Sequence, residues 1–132
     1  MINWRSYHRA ENGTIIKEIE SKFGISLPSD YTLIAINYDG GIPDKKIFTA
    51  GGKQRVFSRL ISIQPNKHPN VLDALEWIDS NNFIPFALDP FGNIICFYIS
   101  NPREIEISYI ETETQTVYSV SSSFGAFING LY

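Results

Sequence analysis

The 132-residue chain predicts an α+β fold, an antiparallel β-sheet of about six strands with helices packed on it, as a single domain over 1–132. Two observations carry that expectation. Apolar residues recur at helical spacing in 14–23, 31–38, 71–78 and 124–131, whereas β-rich runs fill 46–63, 83–99 and 105–120. The strand runs also follow one another through short turn signals, which favours antiparallel pairing.

Each element has its own signal. In the first helix Ile15, Ile16, Ile19 and Phe23 share a face opposite Lys17, Glu18, Glu20 and Lys22, and Gly24 stands where a left-handed cap is needed. Pro28, Ser29 and Asp30 start a second helix that carries Tyr31, Ile34, Ala35 and Tyr38 on one side and stops at Asp39-Gly40-Gly41. Lys46–Thr49 and Val56–Ile63 form a hairpin around Ala50-Gly51-Gly52-Lys53. Asn70 caps a short third helix with Val71, Leu72, Leu75 and Ile78 inward and Asp73, Glu76 and Asp79 outward.

The most apolar stretch, Phe83 to Ile99, is a central hairpin. From Ile94 to Ile99 every residue is apolar or aromatic, so both faces of that strand must be covered. Its turn, Asp89-Pro90-Phe91-Gly92-Asn93, has Pro90 where a fixed φ suits a type I or II turn and Gly92 or Asn93 to take a positive φ. Ile105–Tyr109 alternates as a strand wet on one side, Glu111–Gln115 turns, Thr116–Val120 returns, and Ser121 to Ser123 cap a last helix holding Phe124, Phe127, Ile128 and Leu131.

Composition narrows the function. A net charge of −3 argues against direct nucleic-acid binding and for a basic partner. Cys96 is a core hydrophobe without a disulfide partner. Neither a signal peptide nor a membrane-spanning run is recognisable, so a cytoplasmic protein is expected.

No catalytic set emerges. Gly51-Gly52-Lys53-Gln54 lacks the earlier glycine and the Ser or Thr of a phosphate loop. His8 and His68 lie in polar stretches without ligands at metal spacing, so no metal and no cofactor is expected. Asp89 reads as a carboxylate in a cleft or, better, as an Asx-type acceptor holding its own turn. The acidic side chains fall on the third helix and around the last hairpin, where Glu104, Glu106, Glu111 and Glu113 would steer a basic protein.

Several stretches together resemble the SUKH superfamily, also called the SMI/KNR family. These are Ile19-Glu20 with Phe23-Gly24-Ile25-Ser26-Leu27-Pro28-Ser29-Asp30-Tyr31, then Asp39-Gly40-Gly41, Trp77 with Phe83–Ala87, Asp89 with Gly92-Asn93, and Ser123-Phe124 with Phe127-Ile128. The resemblance spans about Glu11 to Tyr132 and departs from the family pattern at Asp39, in place of Asn, and at Pro90. It implies an α+β immunity protein, an antitoxin and not an enzyme, that binds and neutralises a cognate toxin of nuclease type, as a monomer or weak homodimer. The alternative is a non-enzymatic regulatory interaction module. The candidate partner-binding residues are Asp39, Trp77, Glu104, Glu106, Glu111 and Glu113.

Overall fold

A computed structural model describes residues 2–132. The elements run β1 (Trp4–Arg5), α1 (Thr14–Phe23), α2 (Ser29–Asn37), β2 (Ile42–Pro43), β3 (Ile47–Ala50), β4 (Lys53–Val56), β5 (Arg59–Leu60), α3 (Val71–Leu75), β6 (Phe83–Leu88), β7 (Ile94–Asn101), β8 (Glu104–Glu111), β9 (Thr116–Ser121) and α4 (Phe124–Asn129). The fold is α+β. Its main sheet is antiparallel, in the order β5-β6-β7-β8-β9, and two small two-stranded sheets, β1-β2 and β3-β4, stand beside it.

The main sheet therefore has five strands, because the first hairpin pairs with itself. The expected single strand over 56–63 is divided: the Phe57 amide donates to the Lys46 carbonyl, whereas the next amide, Ser58, donates to Leu88. Two successive donors bond to different sheets, so the chain crosses from one to the other there. The C-terminal residue closes the small sheet, with the Lys46 and Ile47 amides on the Tyr132 carbonyl and the Tyr132 amide on that of Ile47.

Both faces of β7 are buried, as its unbroken apolar run requires. Ile95 and Phe97 join the large core beneath the helices, and Ile94 and Cys96 join a smaller cluster with Ile78, Phe83 and Ile110. The large core centres on Tyr31 of α2, whose ring meets Phe86, Phe97 and Phe124 edge-on at 5.8, 5.0 and 5.5 Å. Such pairs add about 0.5–1.5 kcal/mol beyond the area they bury. Pro85 is tolerated inside β6 because a bulge between Pro85 and Ala87 interrupts the ladder there.

The helix termini follow the sequence signals closely. Gly24 ends α1 at φ +65°, and Asn70 and Asp73 form a reciprocal capping box on α3. Ser123 caps α4 through the Ala126 amide. Two helices are shorter than their apolar spacing implies. Leu131 lies beyond the end of α4 but stays buried, and Ile78 lies beyond α3 in the loop that covers the second sheet face.

Burial holds Tyr31, Tyr109 and Cys96 protonated, pushing Tyr109 up to about 12 and the other two further. In each case the unfolded chain releases its proton first, so stability is full below the unfolded values and falls as pH rises through them. Denaturant midpoints should be flat up to about pH 8, begin to drop near pH 8.5–9 as the unfolded Cys96 thiol ionises, and drop more steeply above about pH 9.5 with the tyrosines, each group adding up to about 1.4 kcal/mol per pH unit. A midpoint unchanged at pH 11 would contradict this assignment.

Candidate protein-binding end of the sheet

Asp89 leaves β6 only 6% exposed, and every lone pair of its carboxylate that faces the turn is used. Oδ1 accepts the Phe91 and Asn93 amides, both at 2.8 Å. Oδ2 accepts the Asn93 side-chain amide at 3.1 Å and the Tyr109 hydroxyl at 2.6 Å. This is the Asx-type arrangement expected from the sequence, enlarged by a bond to β8, and Gly92 takes the positive φ, +84°. The charge is thus stabilised by four donors and anchors the turn to the sheet.

The turn presents Phe91 to solvent at 85% exposure. It is also tied to the β8–β9 turn, since Thr112 donates its amide to Asn93 Oδ1 and its hydroxyl to the Gly92 carbonyl. Gln115, itself at φ +59°, extends the link. Its Nε2 donates to the Trp77 and Thr112 carbonyls, and its Oε1 accepts the Asp79 amide. Past α3 the Trp77 and Ile78 amides bond the Ala74 and Leu75 carbonyls, and Gln115 then takes the Trp77 carbonyl and the Asp79 amide.

One end of the sheet therefore gathers Phe91, Trp77 at 38% exposure, Asp79, Glu111 and Glu113. Arg55 buttresses it from β4. Its guanidinium lies 4.8 and 5.4 Å from the Tyr109 and Tyr118 ring centres and 3.6 Å from Glu111. The Tyr118 hydroxyl is held protonated chiefly by its hydrogen bond to Glu111. The Tyr118 ring also covers Gly51, where an added Cβ would come within 2.6 Å of it.

The six candidates from the sequence do not form one patch. Trp77, Glu111 and Glu113 share the end just described. Glu104 and Glu106 lie at the opposite end of β8, beside the β7–β8 turn, with Glu106 facing Tyr98 across the ladder. Asp39 is 5% exposed, and its carboxylate accepts Ser62 Oγ, the Ile63 amide and Gln64 Nε2 at 2.8, 2.7 and 2.7 Å. Phe91 was missed because one aromatic in a turn has no periodic partner. Its signal was the Asp-Pro-Phe-Gly-Asn context, which leaves that side chain nowhere to pack.

Among the described residues no group of three or more His, Cys, Asp or Glu side chains is placed to hold a metal ion. No described helix is long and apolar enough to cross a membrane.

Asp89→Ala removes the acceptor of four bonds and should cost about 2–4 kcal/mol, and Tyr109→Phe about 1–2 kcal/mol. Phe91→Ala should stay within about 0.5 kcal/mol of the parent in urea unfolding. Equal losses from Phe91→Ala and Asp89→Ala would mean that Phe91 is a packing residue.

The stretches that carried the family resemblance are built as scaffold. Glu20 Oε2 accepts the Leu27 amide at 2.7 Å, closing the link from α1 to α2. Gly40 turns at φ +71°, and a Cβ on Gly41 would lie 2.8 Å from the Tyr38 carbonyl oxygen. The sequence matches the SUKH family described as SMI1-KNR4 cell-wall over residues 14–128. A search of curated proteins finds no match. With the match running from the start of α1 into α4 and across the whole main sheet, the chain belongs to the SUKH (SMI1-KNR4) family.

Proposed function

We propose that this protein is a cytoplasmic immunity protein, a stoichiometric antitoxin without catalytic activity that binds and neutralises a cognate toxin domain, of basic nuclease type. Family membership supports the class. The observation that carries the reading is Phe91, an aromatic 85% exposed on a turn that a buried carboxylate holds rigid. A pre-ordered aromatic loses little entropy on docking, and such residues dominate protein interfaces. Trp77 supplies a second anchor, and Asp79, Glu111 and Glu113 supply the negative rim that steers a basic partner.

Burial of about 1,200–2,000 Å² is the size of a stable interface. Asp39 is buried as an internal acceptor, and Glu104 and Glu106 could reach only a partner that also engages the far end of the sheet. A second reading, a non-enzymatic regulatory interaction module, is favoured by the cell-wall description of the family.

Tagged protein recovered from its own organism should bring down a protein whose C-terminal domain kills cells unless this chain is co-expressed. Recovery of envelope regulators alone favours the second reading. With the partner in hand, Phe91→Ala should raise Kd at least about tenfold. Glu113→Lys should slow association and flatten its salt dependence. On-rates and affinity unchanged in both variants would reject this end of the sheet as the interface.

A further inference from the structure

The edge strand β5 borders a cavity of about 250 Å³ outside the end just described. Its walls come from residues distant in sequence: the 6–8 segment, the Asp39-Gly40 turn, β5 with Ile61 and Ser62, the 67–69 loop, and Leu88. Backbone bonds hold these walls in place. The His8 amide donates to the Asp39 carbonyl, Leu60 to Gly41 and Val71 to Ser62.

The chemistry of the lining differs from the rest of the molecule. The chain carries −3 overall and contains two histidines, yet both of them, His8 and His68, line this one cavity together with Arg59 and Lys67. Neither Arg59 nor Lys67 has a carboxylate partner among the described residues. Arg59 reaches only the Gly40 carbonyl, at 3.4 Å from both Nε and Nη2. The one carboxylate in the wall, Asp39, already accepts three bonds from Ser62, Ile63 and Gln64. The His68 ring is in contact with Asp73 of α3, at 2.7 Å.

We propose that this cavity binds a small phosphomonoester. Positive side chains arrive from separate walls, which suits a tetrahedral oxyanion whose oxygens point several ways; a planar carboxylate is satisfied by one guanidinium fork. The hydroxyl of Ser6 adds a neutral donor, whereas that of Ser62 is committed to Asp39. The organic part of the ester lies against Leu60, Pro69 and Leu88, in keeping with pockets that set a few polar groups in an apolar lining. The inference stands apart from toxin binding.

The two histidine rings make the test direct. The full chain is titrated with glycerol 3-phosphate and, separately, with inorganic phosphate, at fixed pH and with sodium chloride balancing ionic strength, while both imidazole signals are followed by NMR. Both rings should shift along one saturating curve. Arg59→Gln and Lys67→Gln should each raise the apparent Kd at least fivefold, with an unchanged melting temperature in the absence of ligand. Tighter binding of the ester assigns the site to a phosphorylated small molecule. Equal binding of both probes overturns the ester and leaves a free-phosphate site. Rings that stay still, move no more than with chloride, or respond in both variants as they do in the parent overturn the proposal altogether.

Discussion

The arrangement of the sheet's Phe91-bearing end depends on one buried carboxylate. Asp89 accepts two backbone amides, one side-chain amide and one phenol, and these donors belong to its own turn and to β8. A charge taken out of water is tolerable only when such donors replace the lost hydration. Once they do, the turn cannot relax without leaving the charge unpaired, so its shape is fixed by the cost of the alternatives. From that turn Thr112 carries the order to the β8–β9 connection, and Gln115 carries it on to the loop bearing Trp77.

Asp39 repeats the device after α2. It is buried, accepts three donors, and pins the 62–64 segment against the glycine turn. Both aspartates lie in stretches that mark the family, and both work as internal acceptors. This separates two roles that a sequence motif can blur: the motif residues hold the scaffold, whereas the exposed side chains they position, Phe91 foremost, meet the partner in our reading.

Much of this was legible in the residues alone. Helix periods, caps and strand runs located all four helices and four of the five strands of the main sheet, β6 to β9, because burial imposes the same spacings that the sequence displays. What escaped was non-local. The crossing at Phe57 and Ser58 depends on which strand each amide meets, and the loop after α3 is held by Gln115, far along the chain. The acidic residues were legible as a group in sequence but not in space. Strand β8 carries Glu104 and Glu111 to its two ends, so proximity in the chain did not become a common surface. The cavity at β5 depends on contacts between distant segments, which no local pattern reports.

The most direct measurement of the central claim is amide hydrogen exchange at Phe91, Asn93 and Thr112 in the free protein. If Asp89 and Asn93 hold the turn as described, these three amides exchange at least about a hundredfold more slowly than an unstructured chain, although the turn projects into solvent. Exchange near the unprotected rate at Phe91 and Asn93 would mean that the turn is not ordered before binding. The account of Phe91 as a pre-organised anchor would then fail.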